Sequence, residues 1–336
     1  MRTRTWTIGG IAALVAVAAL TVVSVGSAKP AQSQATIRVA VVTDIGGLND
    51  KGFNALANKG LQQAKVQLGV QGRVFISKSA ADYIPNLSTP ARQGYDLVIA
   101  NGFLMGDALA AVAKRFPKTN FAIIDFPWVA LKGKPKNARG LIFKEAEAGY
   151  LAGVAAATVN KGGTVSSVGG QAVPAVVAFL AGYKAGAKAT VKSAKVLSGY
   201  SEEFVDQAKC KELANNQIQQ GSKVVFAAAG LCGLGALQAA KEAGVWGIGV
   251  DNDQAFLGTH ILTSATKKVD LAVFTTIRQV TEDAFVGGRD GVFTVKNGGV
   301  GFGTVSVKAP GRAALIKKLT AVAQQIAAGK IKPPTK

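Results

Sequence analysis

From Thr36 onward the chain keeps a rhythm that few folds accommodate. Apolar runs of strand length alternate with amphipathic stretches of helix length. "TIRVAVVTD" leads into "DKGFNALANKGLQQAKVQLG", "RVFISK" precedes "YIPNLSTPARQG", "YDLVIAN" precedes "MGDALAAVAKRFP", and "NFAIIDF" closes the set. Strands of continuous Val, Ile and Phe are buried on both faces, and a helix after each is the connection that parallel strands require. "KGKPKNARG" reads as a crossing, after which the plan repeats. "EAEAGYLAGVAAATVN" is a helix dense in small residues, suited to close packing on a sheet. "GGTVSSVGG" leads to "PAVVAFLAGYKAGAKAT", with Pro174 at a helix start. "AKVLSGY" leads to "DQAKCKELANNQIQQG", "KVVFAAAG" to "GLGALQAAKEAG", and "VWGIGVD" ends the series. "HILTSA", the helix "VDLAVFTTIRQVTEDAFVGG", a strand pair around "GVFTVKNGGVGFGTVSV" and a last helix "RAALIKKLTAVAQQIAAGK" follow. The expectation is an α/β protein of two similar lobes, crossed more than once and hinged like a clamp. Its 336 residues suit about two domains.

The first residues follow a different logic. "MRTRTW" carries Arg2 and Arg4, an uncharged apolar run follows, and "GSA" ending at Ala28 or "SQA" ending at Ala35 offers a small-residue exit. That order reads as an export signal. A run of about 18 apolar residues also approaches the length of a membrane anchor, so retention is the alternative. No cysteine stands near the exit to accept a lipid. The formal charge of +20 invites a nucleic-acid reading. However, the lysines are scattered along helices and no basic run is interleaved with aromatics, so no nucleic-acid partner is expected. On an exported protein the charge favours a membrane surface or cell wall. Cys210 and Cys232 are the only cysteines, and in an oxidising compartment they are either a disulfide or two buried thiols. With His260 the only imidazole, neither a metal site nor a catalytic triad is expected, and no cofactor.

Ligands of open α/β sheets bind beyond the carboxyl ends of the strands. Asp44, Asp125 and Asp251 each end such a strand, in "VAVVTD", "FAIID" and "GIGVD". Three carboxylates converging there would accept hydrogen bonds from a neutral, hydroxyl-rich molecule and repel a phosphate. The competing role for each is to cap the following helix or turn, the role expected of Asp50. Phe53 either begins the core stripe of its helix or stands at a cleft rim where its ring stacks on a ligand. "AAAGLCGLGALQAAKEAG" opens a helix after a strand but lacks both P-loop and dinucleotide spacing, with Gln238 where the third glycine belongs.

Seven stretches in order carry a family resemblance: "TDIGGLNDKGFNALANKGL", "LIFKEAEAGYLAGVAAA", "VAFLAGYKAGA", "EEFVDQAKCKELA", "GLCGLGALQAAKE", "GVDNDQ" and "LTSATKKVD". The chain resembles the basic membrane protein family, substrate-binding components of ABC importers that include bacterial purine nucleoside receptors. The resemblance implies a type I periplasmic-binding-protein fold, with two Rossmann-like lobes closing over one ligand. By that reading residues 1–35 are a signal peptide and short linker. Residues 36–142 with about 252–290 form the N-terminal lobe, and 143–251 with about 291–330 the C-terminal lobe. The resemblance further implies that Phe53 and Phe204 cover the two faces of a base and that Asp44 and Asn54 bond its edge. Asp125, Asp251 and Lys267 or Lys268 would hold ribose hydroxyls, and Gly230 would let the backbone approach. Asp206 receives a structural role. Trp128, just after Asp125, is an extra aromatic that could reshape the pocket. The positions of Cys210 and Cys232, on a helix and a neighbouring strand-end loop, favour the disulfide.

The reading is therefore an exported, non-enzymatic binding protein at the periplasmic or extracellular face, partnered by an ABC permease and its ATPase. Two other classes are a secreted nucleoside hydrolase using the clustered carboxylates and a sensor that passes its closed form to a membrane receptor.

Overall fold

The computed structural model describes residues 36–336; the export signal or anchor read in residues 1–35 lies outside the described residues. The first sheet is built in chain order from β1 (Arg38–Thr43), α1 (Phe53–Leu68), β2 (Gln71–Phe75), α2 (Tyr83–Arg92), β3 (Leu97–Asn101), α3 (Gly106–Arg115), β4 (Asn120–Ile124) and β5 (Ala138–Phe143). The second follows as α4 (Glu145–Val159), β6 (Val165–Gly169), α5 (Pro174–Thr190), β7 (Val196–Tyr200), α6 (Gln207–Gln219), β8 (Val224–Ala228), α7 (Gly233–Glu242), β9 (Trp246–Asp251) and β10 (Ile261–Lys267). The remaining elements are α8 (Val269–Thr281), β11 (Arg289–Phe293), β12 (Val300–Phe302) and α9 (Arg312–Ala327).

The sheets have matching orders, β11-β5-β4-β3-β1-β2 and β12-β10-β9-β8-β6-β7. Their pairings are parallel except β10 with β12. The buried central strands are the continuous apolar runs: VAVV of β1, LVIA of β3 and FAII of β4 are fully buried. A register slip of one residue would expose nothing here, because both faces are covered; the helices between strands set the order instead.

The structure departs from the sequence reading in two places: "KGKPKNARG" is not the crossing, because its last residues open β5 of the first sheet, and the returning segments divide differently. Residues of about 252–290 were expected in the N-terminal lobe, yet β10 pairs with β9 in the second sheet. From this segment only α8, packed on α1, and the start of β11 return to the first lobe. The expected strand pair around "GVFTVKNGGVGFGTVSV" is not a pair. β11 joins β5 of the first sheet while β12 joins β10 of the second, so the turn between them is a third crossing. A short apolar strand carries no mark of which sheet it will join, and two strands close in sequence read as a hairpin until their partners are known. The crossings are knit together: Lys144 N–H donates to Phe293 O (2.9 Å) and Lys268 N–H to Gly299 O (2.8 Å).

The small-residue helix α4 packs chiefly on another helix, α5. Gly149, Gly153, Gly182 and Gly186 lie in that contact, and a Cβ on Gly182 would strike the carbonyl of Ala146. Gly182→Ala is expected to destabilise by roughly 1–3 kcal/mol through overpacking, measurable by chemical denaturation.

Cys210 on α6 is bonded to Cys232, the residue before α7, closing a separation of 22 residues. Replacing both with serine should lower stability by about 3 kcal/mol, and unreduced peptide mapping should show the linked peptides.

Candidate functional site

The turn after β1 is built by two acids with different duties. Asp50 is buried and accepts from the N–H groups of Gly52 (3.1 Å), Asn54 (2.6 Å) and Ala55 (3.0 Å). It thereby caps α1, the role expected of it. Asp44 accepts from Gly46 N–H (2.9 Å) and Asn54 Nδ2 (2.6 Å) and lines an open cleft. Asn54 is buried, and its amide is fully engaged: Nδ2 also donates to Asp50 (3.1 Å), while Oδ1 accepts from Asn101 Nδ2 (2.9 Å) and Asp44 N–H (3.2 Å). Its geometry makes it the residue that aims Asp44.

The other two strand-end acids occupy equivalent places. Asp125 follows β4 and Asp251 ends β9, and these strands hold the same position in the two sheet orders. Both residues have left-handed backbone, with φ of 67° and 61°. That conformation is unfavourable for a residue with a side chain, although Asp tolerates it better than most. Here it ends each strand on a sharp turn with the carboxylate at the cleft wall.

Lys267, the last residue of β10, is only 2% exposed and joins the lobes electrostatically. Its Nζ lies 2.6 Å from Asp125 Oδ2 of the first lobe and 3.0 Å from Glu145 Oε1 at the first crossing. The rings of Phe53 and Phe143 lie 5.1 and 5.0 Å from the same ammonium. Asp125 Oδ1 is buried and has no hydrogen-bond partner among the described residues. A buried carboxylate oxygen left without a donor is costly, so the site lacks a donor at that point.

The expected residues Asp44, Phe53, Asn54, Asp125, Phe204, Gly230, Asp251 and Lys267 all line this one cleft. Phe53 comes from α1 of the first lobe and Phe204 from the loop before α6 of the second. Gly230 has φ 58° and lies against Phe204. Lys268 does not belong: it is exposed at the start of α8, outside the lining. Trp128 does not reshape the pocket either; its Nε1 donates to Pro135 O (3.0 Å), away from the cleft. Asp206 accepts from Ala208 N–H (2.9 Å) and caps α6, as expected.

A family model described as Bmp, the PnrA-like ABC transporter substrate-binding proteins, matches residues 37–336. The chain belongs to the Bmp family. An ABC transporter nucleoside-binding protein, BmpA, from Lactococcus lactis is 34% identical over 322 residues, covering 89% of this chain and 90% of that protein. Basic membrane protein D of Borreliella burgdorferi is 30% identical over 321 residues, covering 94% and 92%. An ABC transporter solute-binding protein from Aeropyrum pernix K1 superposes with a TM-score of 0.80 at 28% identity, covering 89% of this chain and 94% of that one. The fold is accordingly the two-lobe type I fold of periplasmic binding proteins. As a Bmp protein the chain is a substrate-binding component of an ABC transporter, an exported class that takes a small-molecule ligand.

For this Bmp protein the sequence left several wall residues unread. Phe103, Leu104, Val173, Val176 and Phe179 line the cleft. Val176 and Phe179 fall at helical spacing and read as ordinary core. Glu145 was missed because nothing local marks a helix-start acid as the partner of a lysine at the end of a distant strand.

Burial dominates the acid chemistry. It pushes Asp44 up to about 6 against the opposing bonds from Asn54 and Gly46. It pushes Asp251 up to about 7 despite the attraction of Lys267, and Glu145 likewise to about 7. For Lys267, burial alone would lower the ammonium, but Asp125, Glu145 and Asp251 reverse that and hold it above its ordinary range. The sign for stability follows from Asp251: its folded value lies above the ordinary 3.8, so the folded chain binds the extra proton. The Asp251 contribution to stability is therefore lost as pH rises from about 4 to about 7. Asp251→Asn removes that titration and also relaxes at positive φ. Thermal melts of the unliganded protein should show the variant more stable than the parent at pH 8, by at least about 1 kcal/mol, with the gap closing toward pH 4.

Proposed function

We propose that this Bmp protein captures a purine nucleoside between its lobes and presents it to an ABC permease and its ATPase at the outer face of the membrane. The observation that carries the reading is the mismatch of partners in the cleft. Among the described residues Asp44, Asp125 and Asp251 line it beside one cation, Lys267, while Asp50 is spent capping α1, and one buried Asp125 oxygen has no donor. A ligand that fits must bring hydrogen-bond donors and no negative charge. The walls add a second requirement. Phe53 and Phe204 enter from opposite lobes and suit a flat ring held between them.

A nucleoside meets both requirements. Its ribose hydroxyls donate to Asp125 and Asp251, and N–H groups on the base donate to Asp44, which Asn54 holds in place. Lys267 keeps one ammonium hydrogen beyond its two carboxylate partners for a ribose oxygen. The relative from Lactococcus lactis whose name specifies nucleoside binding supports the same class. Contacts to both lobes favour the closed form, because only that form satisfies both sets. No bond is made or broken, so nucleoside should be recovered unchanged after long incubation.

Adenosine, inosine and guanosine are the probes. At 100 times its dissociation constant a bound nucleoside adds about 2.7 kcal/mol to stability, read as an upward thermal shift. Nucleoside 5′-monophosphates should give no such shift. A shift with free sugars or amino acids, and none with any nucleoside, overturns the assignment. Phe53→Ala should weaken nucleoside binding by roughly 1–3 kcal/mol. Unchanged affinity with lowered stability would make the ring a core residue instead.

A further inference from the structure

The parallel strands of the first sheet point their carboxyl ends at the cleft, so their amino ends form an opposite edge. That edge is strongly basic. Lys114 and Arg115 end α3, Lys118 precedes β4, and Lys132, Lys134 and Lys136 fill the loop before β5. All six are exposed, and among the described residues none lies within 4 Å of a carboxylate. The acids at this edge are largely occupied. Asp96 accepts from Arg38 N–H and Asp290 from Trp128 N–H, while Glu282 faces Arg278 at 3.9 Å; Asp283 stands exposed.

The one explanation that needs no partner accounts for only part of this. Cations at a helix C-terminus complement its dipole, which covers Lys114 and Arg115. The loop lysines have no helix end to serve. Neither is their loop slack. Asn137 Nδ2 donates to Ala113 O (3.1 Å), Phe116 O (3.0 Å) and Thr119 O (2.9 Å), and Trp128 Nε1 anchors Pro135. The carbonyl of Lys136 lies so close to Gly287 that no side chain fits there. Lys114, Lys132 and Lys136 thus rim a shallow pocket whose walls include Pro117, Pro135 and Phe285. Cations are presented around apolar contact surface on a fixed frame.

The chain also enters the domain here. β1 begins at Arg38, whose carbonyl accepts from Asp96 N–H (2.9 Å), and Asp96 O in turn accepts from Asn120 N–H (3.0 Å) at the start of β4. We propose that this basic edge of the N-terminal lobe is a docking surface for an anionic phospholipid bilayer, which it meets on the side where the chain enters. Charge complementarity selects the partner, and the cleft on the far edge stays clear for ligand. Binding by this surface concentrates the protein beside the membrane in which its transporter resides.

The test compares the full chain with its Lys132→Gln/Lys134→Gln/Lys136→Gln variant in co-sedimentation with two kinds of vesicle. One is pure phosphatidylcholine; the other contains phosphatidylglycerol at about one-third of the lipid. Each lysine near an anionic surface strengthens partitioning about fivefold, so the variant should lose roughly 100-fold of the phosphatidylglycerol preference. The preference of the parent should vanish in 1 M salt, where screening reaches only about 3 Å. The variant's unchanged melting temperature in the absence of vesicles shows that the loop still folds. Equal partitioning of parent and variant overturns the proposal. So does charge-dependent retention on a soluble anionic polysaccharide without any gain on the phosphatidylglycerol vesicles.

Discussion

An ammonium group with almost no access to water is the constraint around which the two lobes are arranged. Lys267 is 2% exposed, and removing its charge from water is tolerable only with close carboxylates. Asp125 and Glu145 supply them from the first lobe and from the first crossing between lobes. The pairing consumes one oxygen of Asp125, and the other is buried without a partner among the described residues. It also leaves Asp44 and Asp251 as acceptors that no second lysine among the described lining residues offsets. One buried cation therefore does two things. It ties the ends of β4 and β10 to the start of α4, and it sets the excess of acceptors in the cleft.

The local sacrifices cluster at that point. Asp125 and Asp251 adopt positive φ at matching strand ends, and burial holds Asp44 and Asp251 well above the ordinary carboxylate range. Sites that bind by preorganised polar groups commonly carry such strain, offset by packing elsewhere. The offset is visible in the second lobe. Backbone meets backbone along the glycines of α4 and α5, and the Cys210–Cys232 bond ties α6 to the start of α7. Both devices abut the cleft wall: Gly149 packs on the backbone of Phe179, and Cys232 N–H donates to Phe204 O (3.0 Å).

Much of this was legible along the chain. The alternation of buried strands and helices announced a parallel α/β architecture, because parallel strands cannot be joined by tight turns. Asp44, Asp125 and Asp251 were legible as a group because each ends an apolar run, and strand ends are where open sheets bind ligands. Asp50 was legible as a cap from its place before α1. Less legible were groups whose role depends on a distant partner. Asn54 sits one residue after Phe53, yet its amide is engaged by Asp44, Asp50 and Asn101. Lys267 and Lys268 are neighbours in one motif, but strand geometry buries the first and exposes the second. Trp128 follows a site acid closely, and the turn after Asp125 carries it away to Pro135.

The sequence by itself determined most of the elements, because hydrophobic period and strand-to-helix order are local properties of the chain; β5, whose first residues read as a crossing, is the exception. It also determined which residues stand at the strand ends, since those positions are counted from the strands themselves. Tertiary structure alone decided that β10 joins the second sheet, that β11 and β12 part company, and that Glu145 meets Lys267. Those outcomes depend on which surfaces are left to pair after the earlier elements have packed, and no property of a short segment records that.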